Sequence, residues 1–221
     1  MAQLTVRKVD PEIVRRLKLR AAQHGRSAEA EHRAILERLL GTGADDFWAK
    51  AEKLRAHPWP AAHRQRRPDP RGPGPARRSR RMIEAAVVDA SVAVKWVIGE
   101  AGEDAAVRLA TRSLSAPDIL LAECASALWA KVRRREIVEA EAEAALAALG
   151  DAPVVMTAVP ALVADALRLG LLLGHPIYHC LYLALSLQTR TPLVTADRRF
   201  AAAVARHAEV AAHVLWLEDA V

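Results

Sequence analysis

The segment 64–81, RQRRPDPRGPGPARRSRR, divides the chain more firmly than any other feature. Eight Arg, four Pro and two Gly fill its 18 residues, and Asp69 is its only acid. Neither a two-residue nor a 3.6-residue period survives in such a run, so it reads as a solvated linker. A grip on phosphate by its arginines is the second reading. A chain of 221 residues interrupted in this way is expected to fold as two modules. Charge divides at the same place. Residues 1–81 hold 20 Lys+Arg and 9 Asp+Glu, a net of +11, whereas residues 82–221 hold 12 and 17, a net of −5. A basic front suits nucleic acid directly, while an acidic back can act on it if its acids hold cations. Met82 follows the linker at once, and Arg, Pro, Gly and Ala are what GC-rich DNA encodes out of frame. The expectation is that two adjacent reading frames became joined, with Met82 as an internal start.

Several classes are excluded. Two cysteines, Cys124 and Cys180, rule out a disulfide framework and an all-cysteine zinc site. The richest apolar run, residues 177–187, is too short for a membrane span and contains His179. The first residues carry no apolar signal region. A cytoplasmic protein without membrane contact is expected.

In the front module, residues 3–9 alternate, with Leu4 and Val6 on one face and Gln3, Thr5 and Arg7 on the other. This predicts a short strand. Asp10-Pro11 then supplies an N-cap and a proline for the first helical position. Ile13, Val14, Leu17 and Ala21 fall on one helical face, and Gly25 ends that helix. Ser27 caps a second helix running to about Leu40, with Ala28, Ile35, Leu36 and Leu39 available for burial and Gly41 closing it. A lone strand leaves its backbone groups unpaired, and so small a unit cannot bury an adequate core. A homodimer with its two strands paired antiparallel solves both problems. Such a ribbon fits the DNA major groove, with Gln3, Thr5 and Arg7 toward the bases and the Ser27 helix start toward a phosphate. Beyond Gly43 the pattern is less regular. Phe47, Trp48, Leu54 and Trp59 lie among charges, and Pro58 and Pro60 break any helix.

In its order of Leu4-Thr5-Val6-Arg7, residues 17–22 and residues 25–31, the front module resembles the ribbon-helix-helix antitoxins of the FitA-like type. The resemblance implies operator binding by residues 1–43 and a tail, residues 44–63, that wraps a toxin. Its apolar anchors would be those aromatic and leucine residues, and an arginine of the tail could enter an acidic site and compete with metal there. Arg55, Arg64, Arg66 and Arg67 are all candidates.

The back module, residues 82–221, opens with an apolar run at 85–88 that ends in Asp89-Ala90-Ser91. Residues 192–197, Pro-Leu-Val-Thr-Ala-Asp, repeat the design of a buried strand delivering a carboxylate. Further strands are expected at 153–159 and 213–217, and helices at about 102–113, 117–135, 138–149, 160–173 and 178–190. Strands alternating with helices predict an α/β fold with a parallel sheet and helices on both faces. In such sheets ligands bind beyond the carboxyl ends of the strands, so Asp89 and Asp197 are expected at one edge. Glu123 lies in an apolar helical context and needs a partner or a metal. Two strand-end aspartates and a half-buried glutamate suggest a site for a hard divalent cation, magnesium or manganese. Asp118 and Asp165 read as structural.

Four blocks carry a second resemblance: Val88-Asp89-Ala90-Ser91; Glu123 with Ala127-Leu128; residues 177–185 around Tyr178 and His179; and residues 194–200 around Asp197. Together they resemble a PIN domain of the VapC type. This implies an α/β/α sandwich and a ribonuclease dependent on Mg2+ or Mn2+ held by Asp89, Glu123 and Asp197. Ser91 and Thr195 are placed to support ligands or substrate phosphate, with strand-end capping as the alternative. Lys95 or Arg198 could help hold RNA. One position departs from the family: His179 follows Tyr178 where an aspartate is usual. The histidine could be a substitute ligand favouring manganese, a group that positions water or phosphate, or a helix-start residue without a catalytic role. The expected function is a fused toxin–antitoxin, with RNA as substrate, operator DNA as partner and a dimer or tetramer as assembly. The alternative is a DNA-binding repressor with a catalytically disabled PIN domain.

Overall fold

The computed structural model describes residues 8–23, 25–40, 43–57 and 83–221. Residues 3–7 of the strand expected at 3–9, with Gln3, Thr5 and Arg7, as well as Gly41, Trp59, the linker 64–81 with its arginines, and Met82, lie outside the described residues; its last two residues, Lys8 at φ 60 and Val9, are not in a strand. The chain divides into two compact units, residues 1–46 and 47–221.

In the first unit, α1 (Pro11–Gln23) and α2 (Ala28–Leu40) pack on each other. The Asp10 carboxylate accepts from the Glu12 amide at 2.7 Å and caps α1. Gly25 adopts φ 63, and the amides of Gly25 and Arg26 donate to the carbonyls of Ala22 and Ala21. That pair of bonds satisfies the last carbonyls of α1 and requires the left-handed residue that glycine supplies. Ser27 Oγ accepts from the Ala30 amide at 3.1 Å, so the residue expected at a DNA phosphate also serves as the N-cap of α2. Glu31 is buried and paired with Arg20 at 2.8 Å and Arg26 at 2.7 Å. Ala21 is buried, whereas Ile13 and Val14 of the same apolar face are exposed in the single chain.

The second unit is built on a five-stranded parallel sheet of order β3-β2-β1-β4-β5. The strands are β1 (Ala85–Val88), β2 (Ser113–Pro117), β3 (Val154–Thr157), β4 (Leu193–Thr195) and β5 (Val214–Trp216). Between them run α4 (Ala90–Ala93), α5 (Glu103–Leu109), α6 (Leu120–Arg133), α7 (Glu139–Gly150), α8 (Val163–Leu173), α9 (Ile177–Thr189), α10 (Arg198–Val204) and α11 (Ala208–Ala211). The α/β class is as expected. The strand order turns back at the centre: the chain leaves β1 for β2 and β3 on one side and returns to β4 on the other. Crevices for ligands form at such a reversal, at the carboxyl ends of the strands.

Two local expectations are corrected. The helix expected to reach residue 113 stops at Leu109, because Ser113–Pro117 is the strand beside β1. Its sequence, Ser-Leu-Ser-Ala-Pro, carries weak strand propensity, and the sheet pairing decides the outcome. Residues after Gly43 are also more regular than expected: Gly43–Ala56 is a helix, α3, with Lys53 and Arg55 in its last turn to complement the helix dipole. Pro58 lies two residues beyond it.

Residues 47–56 of α3 pack into the second unit. Phe47 and Ala51 are fully buried in its core. Trp48 packs edge-on to Trp96 at 5.5 Å between ring centroids, and Phe47 lies 6.2 Å from the same ring. Trp96 is fixed in turn by its indole N–H, which donates to the Ala106 carbonyl at 3.0 Å. No single helix among the described residues is long and apolar enough to cross a membrane. The apolar pair α8 and α9 meets at 115°. Gly174 makes this turn at φ 59, and α9 packs on β1, β2 and β4 as a core helix.

Candidate active site

Asp89 follows the last residue of β1 and caps α4, so its side chain stands at the strand's carboxyl end. It is only 3% exposed. Ser91 Oγ donates to its Oδ1 at 2.5 Å, the Val92 amide to the same oxygen at 3.2 Å, and Thr195 Oγ1 to its Oδ2 at 2.6 Å. Each hydroxyl is itself oriented by a backbone amide. Ala196 N donates to Ser91 Oγ at 2.9 Å, and Asp197 N to Thr195 Oγ1 at 2.9 Å. The end of β4 is thus wired to the end of β1 through two hydroxyl groups. Even so, burial holds the Asp89 carboxyl above its ordinary pKa, against the opposing pull of Ser91, Thr195 and nearby His179.

Glu123 stands in the first turn of α6. Its Oε2 accepts from the hydroxyl of Tyr182 at 2.5 Å. Burial raises its pKa too; Tyr182 and His179 oppose the shift and the charge of Asp89 adds to it. Two carboxyl groups that both resist ionisation through burial, Glu123 also through the charge of Asp89, make a site with an unmet demand for positive charge. Tyr182 lies within the block 177–185 without an expected role. It is fully buried, and burial with Glu123 beside it raises its pKa, so it stays a donor. The signal was in the sequence: a tyrosine in an apolar core helix needs a partner for its hydroxyl, and Tyr182 stands three residues, about one turn, after His179.

Asp89, Ser91, Glu123, Ser126, Tyr178 and His179 line one cleft of about 670 Å³, together with Ile119, Ala122 and Ala127. Asp197 does not line it. Its Oδ1 caps α10 by accepting from the Arg199 and Phe200 amides at 2.8 and 3.2 Å, and its Oδ2 lies 3.7 Å from His179 Nε2. The imidazole therefore stands between the third acid and the cleft. His179 stacks on Phe200 at 5.4 Å between centroids and 26° between planes, and its Nδ1 is buried without a hydrogen-bond partner among the described residues. Cys124 neighbours both acids, but burial pushes its thiol up to about 12, so it is inert.

The remaining candidates fall elsewhere. Lys95 is held by Glu100 and the Ala101 carbonyl, each at 2.8 Å. Arg198 lies over the Trp216 ring at 5.3 Å. Asp118 accepts from the Val159 amide, and Asp165 pairs with Arg168 and Gln188. Arg55 donates to the Trp96 carbonyl and is not among the residues that line the cleft.

The donor set fits a hard divalent cation in chemistry. Asp89 and Glu123 offer carboxylate oxygens to one cleft, and the charge of Asp89 raises the pKa of Glu123. No three described His, Cys, Asp or Glu side chains close around a common point. Magnesium asks for no such cage, being held typically by one or two carboxylates with water and substrate phosphate completing its shell.

Comparison with known proteins agrees with this division. Residues 2–40 match the family model described as antitoxin FitA-like, ribbon-helix-helix. Residues 86–205 match the PIN domain model, which covers over half of the chain. A protein of Sinorhizobium fredii, y4jJ, provisionally named a plasmid stability protein, is 60% identical over 37 residues. That match takes in 17% of this chain and 44% of the relative's length. The crystal structure of PAE2754 from Pyrobaculum aerophilum superposes with a TM-score of 0.46 and 21% identity, over 62% of this chain and 85% of that one.

Proposed function

This chain belongs to the PIN domain family and carries a FitA-like ribbon-helix-helix domain in front of it, and on that premise we propose that it is a toxin–antitoxin pair in one chain, cytoplasmic, whose second unit is a metal-dependent endoribonuclease. The reading rests chiefly on one observation: Asp89 and Glu123 face a single cleft with raised pKa values, each locked in place by hydroxyl donors.

Asp89, Glu123 and Asp197 are the residues that would hold magnesium or manganese. When bound, the ion supplies a more acidic water and stabilises negative charge on the phosphate under attack. The chain's own groups prepare the site. Ser91 and Thr195 fix the Asp89 carboxylate so that its orientation need not be found at the moment of reaction. Tyr182 does the same for Glu123. His179, beside Asp197, can hold a proton or orient a phosphate oxygen at the cleft wall. Ile119, Ala122 and Ala127 give the cleft an apolar lining that limits water.

The first unit, on this reading, dimerises and binds operator DNA through Gln3, Thr5 and Arg7, with the Ser27 helix start at a phosphate. The docked helix α3 keeps the antitoxin segment at high effective concentration on its toxin. The domain plan is a DNA-binding unit over 1–43, a tail over 44–63, a linker over 64–81 and a nuclease over 82–221. Release would require a cut in 60–81 or a product begun at Met82.

The test is RNA cleavage by the full chain in magnesium, manganese and EDTA, before and after proteolysis at a site inserted in 64–81, with Asp89→Asn alongside. Cleavage that appears on cutting, needs the metal and vanishes in Asp89→Asn supports the reading. An intact fold that cleaves no cellular RNA in any state sinks it.

One observation favours a second reading, a repressor with a disabled PIN domain. His179 stands 3.7 Å from Asp197 where the family places an acid, so a cation already faces that carboxylate whenever the imidazole is protonated. Cleavage gained by His179→Asp and absent from the native chain would select it.

A further inference from the structure

Helix α6 carries Glu123 and forms one wall of the cleft, and its exposed face continues past the cleft. Ala122, Ser126, Trp129 and Arg133 stand at i, i+4, i+7 and i+11, which places them on one stripe, and all four are exposed. Ala122 and Ser126 line the cleft. Trp129 follows Ser126 by about 4.5 Å of helix rise, and Arg133 follows by about 10 Å. Trp129 is 65% exposed, a high value for the residue type that gains most from burial. The Arg133 guanidinium lies 5.9 Å from the centre of its ring.

The charges nearby make Arg133 stand out. Lys131 is paired with Glu100 and Glu136, and Arg134 with Glu136. Arg133 and Arg135 have no carboxylate partner among the described residues, and of the two it is Arg133 that lies over the Trp129 ring. An indole with an unneutralised guanidinium over its ring offers two stacking planes, so a nucleobase can stack with the ring or the guanidinium while a phosphate meets the arginine. Surrounding polarity favours nucleic acid over a second protein. Trp129 is the only large exposed apolar residue of α6 among the described residues, flanked on its stripe by Ser126 and Arg133. Helix α8 instead exposes Val163, Leu167, Leu171 and Leu172 together, the pattern of a protein contact.

We propose that Trp129 and Arg133 form a binding subsite for single-stranded RNA, where a base one or more nucleotides from the scissile phosphate stacks on Trp129 and a flanking phosphate meets Arg133. The proposal rests on the nuclease reading above and specifies its substrate as unpaired RNA, since a base held in a duplex cannot offer its face to the indole. Both are binding residues here, Trp129 for a base and Arg133 for a phosphate.

The experiment uses the full chain in EDTA, which prevents cleavage, with single-stranded RNA decamers each carrying 2-aminopurine at one position. Expected is quenching of 2-aminopurine at a preferred position, lost in Trp129→Ala along with about 5- to 100-fold in affinity, and largely kept in Trp129→Phe. Arg133→Gln should reduce the slope of log affinity against log salt by about 0.7, one phosphate contact on a single strand. Duplex RNA of the same sequence should bind Trp129→Ala and the native chain alike. Unchanged affinity and quenching in Trp129→Ala would overturn the proposal. So would a changed oligomeric state with RNA affinity intact, which would assign Trp129 to a protein interface. If the native chain cleaves RNA and Trp129→Ala does so with the same KM, the subsite alone falls. If the native chain neither binds nor cleaves RNA even after it is cut at the site inserted in 64–81, the nuclease reading falls and this proposal with it.

Discussion

Thr195 and Asp89, 106 residues apart in the chain, are joined by a 2.6 Å hydrogen bond from the threonine hydroxyl to Oδ2 of the carboxylate. Both side chains are buried, and the hydroxyl is itself oriented by the amide of Asp197. The bond exists because β1 and β4 are adjacent and parallel, so their carboxyl ends share one edge. It makes the geometry of the candidate site a consequence of sheet pairing.

Thr195→Val keeps the shape and removes the donor. Asp89 Oδ2 then loses its hydroxyl, and a hydrogen bond to a charged group contributes about 1.5–3 kcal/mol. Urea unfolding at neutral pH should show a loss of that order, with a smaller loss in acid where Asp89 carries a proton. A loss equal at both pH values would mean that Thr195 acts by packing and by accepting from the Asp197 amide, and not through the charge.

Asp89→Asn should raise the stability of the metal-free protein. The sign follows from the direction of the shift. In the unfolded chain Asp89 ionises near its ordinary value of 3.8, and in the folded protein it ionises higher. Below both values the two states are equally protonated and the group contributes nothing. As pH rises between them the unfolded state loses its proton first, so stability falls; above the folded value the full cost is present. The asparagine does not titrate, and its neutrality also relieves Glu123. The gap in Tm between variant and native chain should therefore open as pH rises from about 4 and level off. Added magnesium should stabilise the native chain and shrink the gap. A gap independent of pH would show that Asp89 is not held above its ordinary value.

Much of this was legible in the sequence for a physical reason. Residues 85–88 and 193–195 are short, largely apolar runs followed within two residues by an acid, Asp89 and Asp197, a pattern that topology forces to one edge of a parallel sheet. The caps of the front helices were equally visible in Asp10, Gly25 and Ser27. Three features were not. The strand at 113–117 is held by its neighbours and not by its own residues. Helix α3 was obscured by its acidic and aromatic composition and by Pro58 and Pro60, which break the pattern just past its end. That Tyr182 needs a partner is legible, but that the partner is Glu123 depends on α6 and α9 approaching each other, which no local pattern encodes.

Phe47→Ala should undock the tail. The ring is fully buried against Trp48 and Trp96, and truncating such a phenylalanine costs about 3–5 kcal/mol. Limited proteolysis should cut near residue 57 faster, because the contacts of His57 with Glu141 and of Arg55 with the Trp96 carbonyl depend on the docking of α3. If docking restrains the nuclease, the uncut variant should cleave RNA where the native full chain does not. Faster proteolysis with no gain in cleavage would separate docking from inhibition.

His179→Asp tests what the departure from the family pattern does. The imidazole lies 3.7 Å from Asp197 Oδ2 and is stacked on Phe200. Replacing it by a carboxylate removes that stacking and adds a like charge beside Asp197, so the metal-free variant should melt lower than the native chain. It also converts three acids and a nitrogen donor into four acids, which suits magnesium better than an imidazole does. Calorimetry should show magnesium affinity raised on the order of tenfold, the scale on which groups around a metal site tune binding. Manganese separates two roles for the native histidine. If manganese affinity falls in the variant while magnesium affinity rises, His179 is a ligand in the native protein. If both rise, it acts as a countercharge to Asp197. If neither changes, His179 lies outside the metal's reach, and the reading of a site disabled by the loss of one acid fails.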